Sequence, residues 1–282
     1  MIIIKTRKEI SEKIIQLKKE GKTIGFVPTM GALHQGHLSL IEIAQKHTDV
    51  SVVSLFVNPT QFNNSKDLEK YPRTIETDID KLQSVCTDIL FLPNADEMYP
   101  EEDTRVFDFG KLDKVMEGKY RSGHFNGVAQ IVSKLFESVL PDKAFFGLKD
   151  FQQYVIIKEL VKKFMPDTDI EIVGCPIIRE KGGLAMSSRN ELLGAVEREN
   201  ANIISKVLEK SKEIVNEKSV EEIKKYVVAE INSNSFLKVE YFEIVDDVKL
   251  ENIKNWSENN KKVGCVAVFC GEVRLIDNVY YN

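Results

Sequence analysis

The sequence predicts an α/β protein, with a Rossmann-like parallel-sheet N-terminal domain over residues 1–177 and a smaller α+β lid domain over residues 178–282. Three observations lead there. Up to residue 173, short apolar runs alternate with helical patterns, as in a parallel sheet covered by helices. Gly174, Pro176, Gly182 and Gly183 then punctuate a stretch that reads as a hinge, and beyond it two helical patterns precede three strand patterns. With 282 residues, 43% of them apolar, the chain can form one large core or two modest ones.

Residues 2–4 read as a strand, and Ile10, Ile14 and Leu17 recur at helical spacing between a Thr6 cap and a Gly21 stop. Further strands are expected at 23–27, 50–57, 89–92, 144–146 and 170–173, with helices at 37–47, 78–85, 128–139 and 151–164 between and after them. The 128–139 helix carries the clearest apolar stripe (Val128, Ile131, Val132, Leu135, Phe136, Val139), with Asn126 as its expected cap. Helices at 196–216 and 219–232 then lead to strands near 236–245, 263–270 and 273–280, the last two joined by a two-residue turn at Gly271-Glu272. The Lys/Glu-rich stretch 209–225 reads as a solvated helix face.

Lys and Arg number 39 against 44 Asp and Glu, a net charge of −5, so no bulk attraction draws the chain to nucleic acid or anionic lipid. Phosphate chemistry would need a local cluster of donors. Apolar stretches such as residues 52–57 fall far short of the ~20 residues of a membrane helix, and residues 1–4 run straight into Lys5, Arg7 and Lys8. A cytoplasmic protein is expected. Cys86, Cys175, Cys265 and Cys270 show no C-x-x-C spacing, which indicates neither a zinc site nor a disulfide framework, and no metal ligands are assigned.

Four segments carry chemistry. The first, residues 26–41, is a strand ending in a Gly-containing loop that opens into a helix, where unpaired N–H groups and the helix dipole favour anions. His34 and His37, three apart at that start, can donate to phosphate oxygens and stabilise charge on leaving pyrophosphate, and Gly36 permits close backbone approach. In the second segment, Asn58 and Gln61 offer uncharged amides at the sheet edge where open α/β proteins bind ligands, suited to a small hydroxy acid. The third, residues 146–153, is again strand, glycine, helix; Lys149 supplies a point charge for phosphate and Gly147 lets a nucleotide approach the backbone. In the fourth, Ser187, Ser188 and Arg189 follow the Gly-rich hinge and suit a clamp on triphosphate.

His34-Gln-Gly-His37 resembles the H-x-G-H signature of the adenylyl-transferring superfamily that includes class I aminoacyl-tRNA synthetases. The wider run from Pro28 to His37 is similar to that of the pantoate-beta-alanine ligase family, and the resemblance extends over nearly the whole chain. It implies nucleotide contacts from Met30, Gly31, Ala32, Leu33, His34, Gln35, Gly36 and His37, and from Gly147, Leu148, Lys149 and Asp150. By the same resemblance Ile178, Met186, Ser187, Ser188 and Arg189 face ATP, and Gln61 and Gln153 hold pantoate, with Asn58 beside them. Arg121 in Arg121-Ser-Gly-His-Phe125, with Ser122 where the family has Pro, and Tyr71-Pro-Arg73 with Asp78 also fit the family pattern, without an assigned role.

The implied reaction is ATP-dependent condensation of (R)-pantoate with β-alanine through a pantoyl adenylate, releasing pyrophosphate and AMP. Mg²⁺ arrives on ATP. No residue need act as covalent nucleophile; His34, His37, Lys149, Ser188 and Arg189 would position substrates and stabilise charge. The family's homodimer is carried over by resemblance. A nucleotidyltransferase acting on a phosphorylated acceptor would need extra cations where Gln61 and Gln153 stand, and a nucleotide-sensing regulator would not need every motif side chain.

Overall fold

A computed structural model of the chain describes residues 1–62, 68–69, 71–258 and 260–281. The elements of the first sheet and its helices are β1 (Ile2–Ile4), α1 (Arg7–Lys19), β2 (Ile24–Thr29), α2 (Gln35–His47), β3 (Val50–Leu55), α3 (Ile75–Ser84), β4 (Ile89–Phe91), α4 (Ala95–Met98), α5 (Met116–Tyr120), α6 (His124–Val139), β5 (Lys143–Gly147), α7 (Phe151–Phe164) and β6 (Glu171–Cys175). The six strands pair in parallel in the order β1-β4-β3-β2-β5-β6. The chain steps from β2 through β3 to β4 on one side, then returns to place β5 on the other. The loops leaving β2 and β5 therefore diverge from a topological switch point, where open α/β sheets form a crevice.

Both faces of β3 are buried along its whole length, which explains why it reads as a continuous apolar run rather than an alternation. Helix α6 has thirteen buried residues among its sixteen, because it is enclosed by α1, α7 and the sheet. Its stripe is as expected from the sequence, but its cap is Gly123, in the left-handed region at φ 79°, and not Asn126. Asn126 lies inside the first turn. Its Oδ1 accepts from the Phe107 amide and its Nδ2 donates to the Arg105 carbonyl, so an extended segment outside the helix takes up its side chain.

Beyond β6, α8 (Ala195–Glu213) and α9 (Val220–Asn232) pack on a three-stranded antiparallel sheet of β7 (Leu237–Asp246), β8 (Lys262–Cys270) and β9 (Val273–Tyr281), in that order. The β8–β9 hairpin turns on Gly271-Glu272, with Gly271 at φ 56°.

The two sheets are joined by an apolar cluster, which includes Met116, Phe151, Val155, Val245 and Val263, and by a charged network. Glu117 of α5 receives Arg274 of β9 through both oxygens at 2.7 and 2.8 Å, and Tyr241 of β7 at 2.8 Å; Arg274 also reaches Glu240 at 2.6 Å. Truncating one partner of such a pair leaves the other charge uncompensated, which costs about 3 to 5 kcal/mol. Glu117→Ala is expected to lower the unfolding free energy by about that amount in urea titration. A loss below about 0.5 kcal/mol would mean the pair acts as an ordinary surface contact.

Candidate active site

The loop from β2 to α2 is shaped by one buried carboxylate. Asp78 of α3 accepts from the Ala32 amide at 2.9 Å and the Leu33 amide at 2.8 Å, while Lys81, one turn on, donates to the Leu33 carbonyl at 2.6 Å. These contacts hold Gly31 and Ala32 in the left-handed region, at φ 84° and 50°. The chain is thereby turned so that α2 begins at the switch point.

Helix α2 starts at Gln35, two residues earlier than the sequence suggests, because His34 caps it. His34 Nδ1 accepts from the Gly36 amide at 3.1 Å, and His37 Nδ1 accepts from the His34 amide at 3.3 Å. A backbone N–H can only donate, so both Nδ1 atoms are unprotonated and each neutral ring carries its proton on Nε2. The rings lie 4.1 Å apart at a 35° tilt. Burial, then Lys149 and Lys81, lowers the His34 pKa to about 4. His37 is pushed well below its ordinary value by burial, then by His34 and the same lysines. Two uncharged N–H donors thus stand beside the open end of a helix.

The facing wall comes from β5. After Gly147 the chain makes a single 3-10 turn over Leu148–Asp150, and α7 follows. On α7 the two glutamines divide their work: Gln152 donates to the Leu112 and Val115 carbonyls and accepts from the Glu117 amide, whereas Gln153 lines the cleft. A third wall follows β6. The Met186 amide donates to the Ile178 carbonyl at 2.9 Å, Ser187 Oγ accepts from the Arg189 amide, and Asn190 anchors the turn through Glu180 and Ala185.

Together the walls line one cleft with a cavity of about 170 Å³. Of the residues expected from the sequence, Met30, His34, Gly36 and His37 line it from the first segment, and Gly147, Lys149, Asp150 and Gln153 from the third. Ile178, Met186, Ser187, Ser188 and Arg189 complete it. Gly31, Ala32, Leu33, Gln35 and Leu148 are not in this lining; Ala32 and Leu33 are engaged by Asp78, and Gly31 lines a separate cavity behind Met30.

Asn58 and Gln61 sit behind Met30. Gln61 Nε2 donates to the Met30 sulfur at 3.0 Å, a weak acceptor that a ligand hydroxyl can replace. Asn58 is used within the protein: it donates to Gln61 Oε1 and the Gly127 carbonyl and accepts from Tyr99 at 2.7 Å. Gly127 is required here, since a Cβ would fall 2.5 Å from the Thr60 carbonyl and 2.8 Å from the Gln61 amide. His124 Nδ1 donates to the Gln61 carbonyl at 2.9 Å; burial and then Arg121 lower its pKa to about 4.

A family model described as pantoate-beta-alanine ligase matches residues 2–280. The chain belongs to the pantoate-beta-alanine ligase family. Among similar curated proteins, pantothenate synthetase from Phocaeicola vulgatus is 54% identical over 282 residues, and that from Porphyromonas gingivalis W83 is 51% identical over 282, each alignment covering 100% of both chains. Among solved structures, pantothenate synthetase from Thermus thermophilus matches with a TM-score of 0.92 at 37% identity, covering 100% of both chains. The ligase from Francisella tularensis, complexed with beta-gamma ATP and beta-alanine, matches with a TM-score of 0.82 at 38% identity, covering 99% of this chain and 97% of that one.

Sequence reasoning left Asp78 of this ligase-family chain without a role, and the structure supplies one as the carboxylate that shapes the loop. It missed Lys81 and Tyr99. The 78/81 spacing on one helix face is the signal that could have linked Lys81 to Asp78. Arg73 reaches the Leu68 carbonyl at 3.5 Å. Arg121 lies 3.7 Å from Glu117 and borders the cavities next to Lys149.

Two measurements test this geometry. In an NMR titration the His34 ring is expected to pass its midpoint at about pH 4, with no inflection between 6 and 8. Because the unfolded chain would protonate near 6.5, the contribution of His34 and His124 to stability is whole above that pH. It declines as pH falls through about 4, where the folded state also takes up its protons. Second, a Cβ on Gly36 would meet His34 Nδ1 at 2.9 Å. Gly36→Ala is therefore expected to displace the ring, remove the cap at about 0.5 to 2 kcal/mol, and lower activity. Unchanged ring shifts in that variant would refute the close packing.

Proposed function

We propose that the chain condenses (R)-pantoate with β-alanine, using ATP and forming AMP and pyrophosphate through a pantoyl adenylate. The reading is carried by one arrangement. Neutral donors on His34 and His37, the Lys149 cation and the Ser187–Arg189 turn share a single cleft with the uncharged Gln153, and the uncharged Gln61 lies behind Met30, bonded to its sulfur. A phosphorylated acceptor would call for cations at those two positions.

In the first step a pantoate carboxylate oxygen attacks the α-phosphorus, and the bond to the β-phosphate breaks with its electron pair leaving on pyrophosphate. Lys149, Ser188, Arg189 and the two Nε2–H groups meet the charge that builds there, at the N-terminal end of α2. In the second step the β-alanine amine attacks the acyl carbon, AMP departs, and the amine proton is lost. Gln61 and Gln153 bind pantoate, Gln61 exchanging its contact with the Met30 sulfur for a substrate hydroxyl. Asn58 acts by holding Gln61. Met30, Gly36, Gly147, Asp150, Ile178 and Met186 surround the nucleotide, and the Gly31-Ala32-Leu33 turn with Gln35 and Leu148 supports it from behind.

Magnesium, where bound, neutralises triphosphate charge; Asp150 is the carboxylate among the described residues lining the cleft, which fits an ion held mainly by phosphate oxygens. Residues 178–282 act as a lid domain over residues 1–177. The chain works in the cytoplasm as a homodimer, a reading that rests on the family resemblance and agrees with four cysteines that are free. Among the described residues no helix is long and apolar enough to cross a membrane.

Pantoate alone should support exchange of labelled pyrophosphate into ATP, and pantoate labelled with heavy oxygen in its carboxylate should pass one label to AMP once β-alanine is added. Label-free AMP would exclude the adenylate. Gln61→Ala and Gln153→Ala should each weaken pantoate binding by about 1 to 3 kcal/mol, through polar groups left unpaired. Calorimetry showing unaltered pantoate affinity in both would remove the glutamines from the substrate site.

A further inference from the structure

Two adjacent residues of the far edge strand reach opposite walls of the cleft. Along β9, Arg274 and Asn278 face the first sheet, whereas Leu275, Asp277 and Val279 share the face that packs with α8 and α9, as the alternation of a strand requires. From the first face Asn278 Nδ2 donates to the Leu148 carbonyl at 2.7 Å and the Lys149 carbonyl at 3.1 Å. From the second, Asp277 takes Arg179 through both oxygens, at 2.6 and 3.0 Å. Arg179 in turn donates to the Gly183 carbonyl, bridges to Ala185, and so holds the segment that leads into Met186 and Ser187.

Both residues are buried, Asp277 at 4% and Asn278 at 3% exposure. Asn278 Oδ1 has no partner among the described residues, so this amide is kept for its donor half alone. An apolar residue would pack there without an orphaned oxygen, and an aspartate would repel the two carbonyls. Neither would hold the turn that carries Lys149.

We infer that Asp277 and Asn278 are positioning residues that pin the Lys149 wall and the Arg179–Ser187 wall to one strand and so fix the spacing across which the triphosphate is gripped. The inference rests on the ligase reading for its catalytic consequence, but its structural half can be tested without turnover. In full-length protein free of nucleotide, Asn278→Asp, isosteric but unable to donate, should raise amide exchange over residues 148–153. Asp277→Asn should do the same over 179–187. Each rise should be at least about tenfold and should leave α1 and β3 unaffected.

In pantoate-dependent pyrophosphate exchange, each variant should lose about 10- to 100-fold in kcat per folded molecule, with pantoate KM nearly unchanged, because misplaced groups act on the transition state. The Asn278→Asp loss should shrink to about twofold or less in a Lys149→Ala background, as it acts through Lys149. Unchanged amide exchange, or full kcat despite faster exchange, or losses that simply multiply in the double variant, would overturn the inference. Faster amide exchange at both walls in the variants, with a wild type inactive toward pantoate, would instead uphold the pin and refute the ligase reading.

Discussion

The histidines that face the cleft are also the cap of the helix that presents them. One ring nitrogen of each is committed to a backbone amide, which leaves only Nε2 to face outward and requires that it carry the proton. Protonating Nδ1 would break the cap, so helix geometry and burial both favour the neutral ring. An anion at the α2 terminus would therefore meet oriented dipoles instead of imidazolium charge, with the formal charges left to lysine and arginine. Gly36 is tied to the same constraint, since the His34 ring occupies the space a Cβ would need.

That arrangement needs a firmly held loop before it and a fixed wall opposite. Asp78 meets the first need, taking up the amide of Ala32, whose left-handed conformation is costly for a residue with a Cβ, in a hydrogen-bonded turn. The second is met from a distance, because Lys149 sits on a single 3-10 turn with little internal bonding of its own. The antiparallel sheet supplies what this turn lacks through Asn278, and Glu117 with Arg274 seats that sheet on α5. Charged groups at the seam fix one docking geometry more sharply than the apolar cluster alone can, as their bonds are directional.

The fold was legible wherever one surface of an element decides its sequence. The strand runs, the α6 stripe and the Gly271-Glu272 turn all emerged from periodicity or turn chemistry. Boundaries set by a tertiary partner were not. Asn126 looks like a cap because caps favour asparagine, but Phe107 and Arg105 claim its side chain, and neither is near it in sequence. The short helices α4 and α5 escaped notice because one turn carries no period. At the site, motif residues were legible because glycine, histidine and lysine at a strand-to-helix junction have few structural uses. Asp277, Asn278, Glu117 and Arg274 were not, because a polar residue in a strand reveals nothing about which distant backbone it will meet.

The division of donors across the cleft also bears on reactivity. A carboxylate gripped by arginine binds tightly, but the ion pair draws electron density from the oxygen that must attack phosphorus. In the proposed reading the groups on the pantoate side are amides, one resting on a thioether and positioned by Asn58, which would hold the hydroxyls of the acid without neutralising its carboxylate. On the phosphate side the opposite is useful, because charge migrates toward pyrophosphate as the bond breaks and cations there stabilise the transition state more than the ground state. In that reading, separating neutral recognition of the nucleophile from cationic recognition of the leaving group would let one cleft bind two anions without quenching the first. That separation requires the two walls to keep their spacing.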